Sequence, residues 1–466
     1  MAAPEAATQA APIGKMDGRR RTVFFTALLA AFIVLYYGSL IALWHGGSGI
    51  FTFSHFDYIQ GIEPVERATL RHPYAHLPLP FFDLAGVFSW RECRLLGFDV
   101  TLHNPCDPMG RLANYSPLLP QLPLERIGIR NIVPAGLALD GGFLLLLLFV
   151  LRPAGWTEFG VSALAAVSPT TIFATERANI DVLIFLLLIG AMMLPQSRRW
   201  ARLVSYIATF TGFLIKFYPV VFLVAMLRER LRLLLPLSIV LLAALIIFFF
   251  GYRADLARIS TILPMEVTYY EMFGGPIFAR SVQSYFHLTQ GAGTAIYLCC
   301  GVISLWCAAG ISERIRRTIP ELDLLERRMG LLLCSGVILA ACFFLGFSVS
   351  YRGIFLLAAL PGMFALRGRT GNPAMRKLLD FGLGAALVCL YGDMIRAIGM
   401  HGVAHFPGHD VTEFAVFLLR ESAWWFEVTL LVGIIIALLR RSMAVIEAME
   451  LMSSWRLRCD GATEQE

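Results

Sequence analysis

The residues best suited to chemistry lie in one polar and aromatic stretch, residues 81–119, of an otherwise apolar chain. Asp83 opens a segment in which apolar residues recur at helical spacing until Gly97 ends it. Phe81 and Phe82 precede this carboxylate, and partial desolvation by such neighbours raises the pKa of a carboxylate towards the range of a general base. We therefore predict that Asp83 is a catalytic base that accepts a proton from a hydroxyl group.

Other interpretations of this region stay open. Asp83 is also explained as a negative charge that favours the N-terminus of its helix through the helix dipole. Asp57, in the sequence His55-Phe56-Asp57, is the alternative base. Asp99 and Asp107 adjoin turns, where Asp commonly bonds its own backbone, so we predict structural roles for both.

Three cations stand at the ends of apolar segments: Arg177, Lys216 and Arg352. An ionisable residue at such a place is costly unless it pairs or binds a ligand, so each is a candidate to bind a phosphate group. The alternatives are that Lys216 extends to the membrane surface, that Arg177 pairs with Glu176 or Asp181, and that Arg352 serves packing.

The composition predicts an all-α, multi-pass membrane protein. Of 466 residues, 57% are hydrophobic and 15% charged, and the mean hydropathy is +0.68. The net charge of +6 comes from short basic clusters between apolar runs, which is not the stripe that a nucleic acid requires. The first apolar run is long and lacks a cleavage site, so we interpret it as a retained span.

About twelve transmembrane segments are predicted, with a domain at 22–440 between cytoplasmic tails at 1–21 and 441–466. The ends of the chain, 1–18 and 459–466, are predicted to be disordered. The segments are 22–44, 134–152, 157–173, 178–194, 203–215, 218–227, 233–251, 294–310, 329–347, 353–366, 378–398 and 424–440. Polar corners at Thr175-Glu176-Arg177 and Lys216-Phe217-Tyr218-Pro219 separate short segments, and such corners are tolerated at membrane depth only inside protein or a wet cavity.

The distribution of positive charge predicts that both termini are cytoplasmic. With that orientation 24 of the 39 Lys and Arg residues face the cytoplasm, although the outer loops are longer. The long segments 45–133, 252–293 and 399–423 are then outside. We expect a multi-pass protein of a bacterial-type inner (plasma) membrane.

The cysteines agree with this topology. Six of the nine lie in apolar segments and Cys459 lies in the cytoplasmic tail. Cys93 and Cys106 are on the oxidising side, so a disulfide is favoured over two free thiols. The nearby His103 and Asp107 do not complete a zinc-ligand spacing, and we predict no metal site.

Several short motifs occur in the order found in one family of membrane enzymes. They are Asp83 with Val87-Phe88, Gly97-Phe98-Asp99, Asn114-Tyr115-Ser116-Pro117, Ala178-Asn179-Ile180-Asp181, Ile215-Lys216-Phe217-Tyr218-Pro219 and Arg280-Ser281-Val282-Gln283-Ser284. With these motifs the chain resembles the integral-membrane glycosyltransferases of the GT-C class, and among them the family 87 polyprenol-phosphate-mannose-dependent mannosyltransferases. Ser350-Tyr351-Arg352 stands where many members have Ser-Trp-x-His.

The resemblance implies a GT-C-like fold with a long structured first periplasmic loop. It implies transfer of a sugar, such as mannose, from a polyprenyl-phosphate donor to a lipid or glycan acceptor outside the cytoplasm. Asp83 would be the base, while Lys216, Arg177 and Arg352 would bind the donor phosphate. The residues predicted to contact the sugar or the acceptor are Asn114, Tyr115, Asn179, Tyr218 and Gln283.

The expected partners are membrane lipids, the lipid-linked donor and the acceptor. We expect no tightly bound cofactor and no nucleic acid. Whether a divalent metal is required is left open. The absence of a Gly-rich nucleotide loop argues against a nucleotide-sugar donor. The alternative is a transporter or flippase of a lipid-linked or anionic substrate, because broken helices with cations at their corners also suit translocation. The long first outer loop disfavours the transporter, because transporters seldom need an ordered loop there, whereas a surface enzyme needs a place to hold its acceptor. A scaffold protein without chemistry is a third class.

Overall fold

The computed structural model describes residues 17–45, 81–107, 110–121, 128–262, 272–319, 322–403 and 409–463. The α-helices are α1 (Gly18–His45), α2 (Phe82–Leu95), α3 (Ile132–Leu151), α4 (Trp156–Ala166), α5 (Pro169–Glu176), α6 (Ile180–Met192), α7 (Arg199–Ile215), α8 (Leu231–Gly251), α9 (Arg253–Ile262), α10 (Gly275–Tyr285), α11 (Gln290–Thr318), α12 (Arg327–Leu345), α13 (Phe355–Arg369), α14 (Pro373–Val403), α15 (His409–Leu439) and α16 (Met443–Thr463). Short 3-10 helices cover Leu119–Gln121, Ile129–Asn131, Tyr218–Arg228 and Ser350–Ile354. Two short strands, β1 (Met272–Phe273) and β2 (Ser348–Val349), pair antiparallel.

Six helices within these ranges are long and apolar enough to cross a membrane. They are Gly18–Leu40, Ile132–Leu151, Leu231–Gly251, Gln290–Thr318, Arg327–Leu345 and Phe414–Leu439. The prediction of an all-α, multi-pass membrane protein is therefore confirmed. Each of the twelve predicted segments coincides with helix over most of its length, and the number of these that cross the bilayer stays a prediction.

The centre of the bundle is formed by α12 and α13. Phe355 to Leu366 of α13 are all buried, and α12 is buried over most of its apolar length. A helix that is apolar on every face must lie inside a bundle or in lipid, and these two are enclosed by protein. By contrast, α8 and α11 expose most of their apolar surface, as helices that face lipid do. The buried core thus supports the helix ends that are described below.

The helical chain is interrupted twice within a short stretch, once before α5 and once between α5 and α6. Ser168 caps α5, and Pro169 occupies its first position, where a missing N–H costs nothing. Between α5 and α6, Ala178 adopts a left-handed φ of 42°, and the Asn179 side chain accepts a hydrogen bond from the N–H of Asp181 at 2.9 Å. The predicted polar corner is therefore an ordered, capped turn between two helices.

Ion pairs lie at one end of α7 and at one end of α13. Near the start of α7, Arg202 pairs with Glu229, which also accepts a hydrogen bond from Tyr206 at 2.8 Å. At the end of α13, Arg369 pairs with Glu326 at 2.5 Å. The other ends of α7 and α13 meet around a second set of charges, described below.

The C-terminal tail differs from the sequence expectation. Helix α16 continues to Thr463, so the disorder predicted from residue 459 is wrong for the part of the tail that is described. Glu447 of α16 accepts a hydrogen bond from the N–H of Leu231 at 2.8 Å, which attaches this helix to the start of α8.

The predicted orientation is tested by labelling single cysteines. Gln121 and Ser197 are both exposed and lie on opposite sides in the predicted topology. In a chain whose seven unpaired cysteines are replaced, Gln121→Cys should react with an impermeant maleimide in intact spheroplasts, and Ser197→Cys should react only after permeabilisation. The reverse pattern would require the termini to be outside.

Candidate functional site

The N-terminus of α2 docks on the corner between α5 and α6. The N–H of Phe81 donates to the carbonyl of Glu176 at 2.9 Å, and the N–H groups of Asp83 and Leu84 donate to the carbonyl of Arg177 at 3.1 and 3.3 Å. The first N–H groups of a helix have no partner within the helix, so these carbonyls satisfy them. The close approach also uses Gly136 of α3, where a Cβ atom would lie 2.3 Å from the Phe81 ring.

Asp83 forms a two-point ion pair with Arg177. The Nε and Nη2 atoms of Arg177 lie 2.9 and 2.6 Å from the two carboxylate oxygens of Asp83. The side-chain amide of Asn179 donates a further hydrogen bond to Asp83 at 2.5 Å. Both charged side chains are almost buried, with 12% and 10% of their surface exposed. The loop helix is thus held to the bundle by charge as well as by backbone.

Arg111 completes this group from the loop that follows α2. Its guanidinium contacts both carboxylate oxygens of Asp107, at 2.7 and 3.0 Å, and lies 3.7 Å from Asp83. It stacks 3.8 Å from the ring centroid of Phe82. A Cβ atom on Gly86 would lie 3.0 Å from Arg111 Nη2, so the guanidinium packs closely against α2 at this glycine.

A second carboxylate, Asp181, lies at the start of α6 and is fully buried. Its Oδ1 atom accepts hydrogen bonds from Lys216 at 2.7 Å and from the Tyr218 hydroxyl at 3.0 Å. Arg352 approaches its Oδ2 atom to 3.7 Å. One buried carboxylate is therefore the counter-ion of two cations.

We call these two groups together the ion-pair cluster. Its members are Asp83, Asp107, Arg111, Arg177, Asn179, Asp181, Lys216, Tyr218 and Arg352. Asn179 joins the two halves, because its amide donates to Asp83 while its carbonyl oxygen accepts from the backbone of Asp181. Among the residues that the structure describes, the cluster brings four cations together with three carboxylates.

Part of the cluster has unused hydrogen-bonding capacity. Within the described part of the chain, Asp181 Oδ2 and Arg352 Nε are both buried and neither makes a hydrogen bond. Buried polar atoms without partners are uncommon and costly. The two atoms face each other 3.7 Å apart, so they form an ion pair without a hydrogen bond.

Aromatic rings surround the cations. Lys216 Nζ lies 4.6 Å from the ring centroid of Tyr115 and 5.5 Å from that of Tyr351. Tyr351 stacks on Phe173, which in turn lies 5.0 Å from the Arg177 guanidinium. Burial and the carboxylates of Asp181 and Asp83 raise the pKa of the Tyr351 hydroxyl, so this group stays protonated. The rings exclude water from the cations and strengthen their electrostatic interactions.

The pKa of the Asp83 carboxyl is lowered, whereas the sequence predicted that it is raised. Burial opposes its ionisation, but the charge and hydrogen bonds of Arg177, with Arg111 and Asn179, outweigh burial and lower the pKa of Asp83. The raised pKa that we predicted from Phe81 and Phe82 is therefore wrong. Asp83 is ionised at neutral pH and already accepts three hydrogen bonds.

A disulfide holds the loop that carries Arg111. Cys93 of α2 is bonded to Cys106, with the Cα atoms 5.6 Å apart. Trp90 Nε1 and the Asn104 amide both donate to the carbonyl of Arg111, at 2.9 and 2.7 Å. The loop is thus folded back against α2, which places the Arg111 guanidinium next to Asp83.

The structure brings together most of the predicted site residues. Asp83, Arg177, Asn179, Lys216, Tyr218 and Arg352 are in the ion-pair cluster, and Tyr115 packs on Lys216. Asn114 precedes Tyr115 and is partly buried. Gln283 lies on α10 against Gly293 of α11, and in the described ranges no hydrogen bond joins it to the cluster. Asp57 lies outside the described residues.

Several members of the cluster were not predicted as site residues. Arg111 was not considered, and Asp107 was assigned a structural role at a turn. Asp181 was named in a motif and as a possible partner of Arg177, whose guanidinium pairs with Asp83 instead. One signal for Asp181 was available, because a charged residue in the first turn of an apolar helix, two positions after a capping Asn, needs a partner.

The known proteins offer no guide to this site. No protein-family model, no curated protein and no solved structure matches the chain. Among the described residues, no group of three His, Cys, Asp or Glu side chains is placed to hold a metal ion.

The disulfide is tested by counting free thiols. The chain has nine cysteines, so the unreduced, denatured protein should take up seven alkyl groups, and the reduced protein nine. A Cys93→Ser variant should take up eight without reductant, because Cys106 is released. Nine groups on the unreduced wild-type chain would contradict the bond.

The role of Asp181 as a counter-ion is tested by Asp181→Asn. The amide keeps the shape but leaves Lys216 and Arg352 buried without their carboxylate, and breaking a buried pair costs about 3–5 kcal/mol. The thermal unfolding midpoint in detergent should fall clearly. The matched control is Asp380→Asn, which breaks the exposed pair with Arg367 and should cost at most about 1 kcal/mol. Equal midpoints for the two variants would show that Asp181 is not needed to hold these cations.

Proposed function

We propose that the chain is a membrane glycosyltransferase that moves a sugar from a polyprenyl-phosphate donor to a hydroxyl group of a lipid or glycan. The observation that carries this proposal is the ion-pair cluster: an ionised carboxylate, Asp83, lies beside buried cations at the end of a helix bundle. The reaction needs both a proton acceptor and a site for a phosphate, and it needs them next to a membrane.

The reaction balances with these groups. The acceptor oxygen bonds to the anomeric carbon of the sugar while the bond from that carbon to the phosphate oxygen breaks. The hydroxyl proton passes to a carboxylate, and the polyprenyl phosphate leaves as a monoester with one more negative charge. The cations stabilise this developing charge in a water-poor site, where electrostatic stabilisation is strongest.

Lys216, Arg352 and Arg177 are the proposed phosphate ligands. Arg352 pairs with Asp181 without a hydrogen bond, so a phosphate oxygen that accepts from its Nε atom would displace none. A phosphate that binds here would share the cations with Asp181 and Asp83. Tyr115, Asn179 and Tyr218 contact or belong to the cluster, and Asn114 precedes Tyr115 in the chain. These four residues are the proposed contacts of the sugar or acceptor.

Asp83 is the proposed base, and its ion pair constrains how it acts. Its lowered pKa keeps it ionised but makes it a weak proton acceptor while Arg177 is fully engaged. A donor phosphate that draws Arg177 away would remove the main cause of the low pKa. The base would therefore become stronger only when the donor is bound.

A transporter or flippase is the second candidate, and one observation favours it. Glu427 of α15 is fully buried, and in the part of the chain that is described neither of its carboxylate oxygens makes a hydrogen bond. A buried acid inside a membrane helix commonly marks a proton or ion pathway. Translocation would leave the donor chemically unchanged, whereas transfer consumes it.

The central role of Asp83 is tested by Asp83→Asn. Removal of a general base costs about 10² to 10⁴ in rate, so transfer should fall to the limit of detection while donor binding remains. Asp83→Glu keeps the charge and should recover part of the rate. Thermal midpoints of both variants separate lost chemistry from lost folding, because Asn at this position leaves Arg177 without its ion pair.

Asp380→Asn at the opposite end of the bundle is the control and should keep the wild-type rate. Asp57→Asn should have a milder effect than Asp83→Asn. If Asp83→Asn keeps more than about a tenth of the rate, the loss is too small for a general base, and Asp57 becomes the first candidate.

A further inference from the structure

A separate cavity of about 400 Å³ lies beside the ion-pair cluster. One wall is the end of α2 with the turn after it, a second is the stretch from Ala113 to Gln121, and the third is α9. Its volume falls within the range of roughly 300–1,000 Å³ that small-molecule sites occupy. None of the roles assigned above uses this cavity, except that Tyr115 lines it.

An ion pair links two walls of the cavity. Arg258 of α9 pairs with Asp99 of the loop, with Nη1 and Oδ2 2.9 Å apart. Asp99 also accepts hydrogen bonds from the N–H and the hydroxyl of Thr101, at 3.0 and 2.6 Å. The Thr101 bonds order the loop wall, and the exposed ion pair connects it to α9, which belongs to a distant part of the sequence.

The lining has the chemistry of a site for a neutral, hydroxyl-rich molecule. It presents the carboxylate of Asp255, the amide of Gln121 and the hydroxyl groups of Thr101 and Ser116, which can donate to or accept from sugar hydroxyls. Phe98 offers an aromatic face, with 40% of its surface exposed. The lining also holds the cation Arg94 beside the carboxylates of Asp99 and Asp255, and it presents polar and apolar surface in similar amounts. A neutral molecule that has both hydroxyl groups and apolar C–H faces suits this mixture better than an anion or a lipid chain does.

We propose that this cavity binds the carbohydrate part of the acceptor. Tyr115 connects it to the reaction site, since the ring lines the cavity and also lies 4.6 Å from Lys216 Nζ. A sugar held here would direct a hydroxyl past Tyr115 towards the ion-pair cluster. Binding of carbohydrate is a property of the cavity alone, whereas the acceptor role rests on the proposed glycosyl transfer.

The binding test uses methyl α-D-mannopyranoside as the probe and the full chain in a detergent that contains no sugar. Saturation-transfer NMR should show magnetisation transfer to the ring protons of the probe, with a dissociation constant in the millimolar range. Gln121→Trp places a large side chain in the cavity from an exposed position. Asp255→Asn removes the charge and one hydrogen-bond acceptor oxygen from the lining. Each variant should raise the dissociation constant of the probe about tenfold, which is the free energy of one strong hydrogen bond.

Leu102→Trp is the control, because Leu102 is exposed and neighbours Thr101 but does not line the cavity. It should bind the probe as the wild type does. Thermal midpoints equal to that of the wild type exclude misfolding of the two cavity variants. Absence of binding by the wild-type chain at tens of millimolar probe, or unchanged binding by folded Gln121→Trp, would overturn the proposal.

A kinetic test separates this proposal from the proposed function. With octyl α-D-mannopyranoside as acceptor, Gln121→Trp should raise the acceptor KM about tenfold and leave kcat and the donor KM unchanged, which corresponds to lost binding without lost chemistry. If the wild type transfers sugar and Gln121→Trp has a normal acceptor KM, the cavity proposal fails and the transferase stands. If the probe binds in the cavity but no donor is consumed, the cavity stands as a carbohydrate site and the transferase fails.

Discussion

The ion pair between Asp83 and Arg177 is the interaction on which the arrangement of the site depends. It joins a helix of the first loop to a corner of the bundle 94 residues later in sequence. Both groups are nearly buried, and a buried charge that loses its partner is strongly destabilising. The backbone bonds from the start of α2 to the carbonyls of Glu176 and Arg177 give the same contact a fixed geometry. Lys216, Tyr218 and Arg352 gather around Asp181 instead, and Asn179 links that group to Asp83.

The same constraint accounts for the composition of the cluster. Cations at the ends of apolar helices need counter-ions, and Asp181 provides one for both Lys216 and Arg352. An internal carboxylate is a counter-ion that a phosphate can supplement or replace, because both present oxygens to the same donors. The aromatic rings around the cations lower the local polarity, so that the exchange of one anion for another changes the energies of all the neighbouring groups. The cluster is therefore suited to a substrate whose negative charge increases during reaction.

Local patterns in the sequence predicted much of the framework. Helical spacing after Asp83 indicated α2, and the compartment of Cys93 and Cys106 indicated a bridge that the structure contains. The polar corner at Arg177 was found because polar residues interrupt an apolar run, a signal that needs no knowledge of the fold. These features depend on residues that are near each other in the chain.

Pairing between distant segments was beyond this kind of reasoning. The pKa of Asp83 was predicted in the wrong direction because its main determinant, Arg177, is brought close only by the fold. Arg111 was missed because its position depends on the loop folding back over Gly86. Gln283 belongs to a motif that matched in order along the chain, yet the fold places it against α11. Order along a sequence does not fix proximity in space.

The most direct test of the account is the fate of the donor. Purified protein in liposomes would be given a polyprenyl-phosphate sugar labelled in both the lipid and the sugar, together with a membrane lipid extract as acceptor. The account predicts that labelled polyprenyl monophosphate accumulates and that the sugar label moves to another molecule, in equal amounts. Recovery of the intact donor, whether in its original leaflet or in the opposite one, would contradict glycosyl transfer.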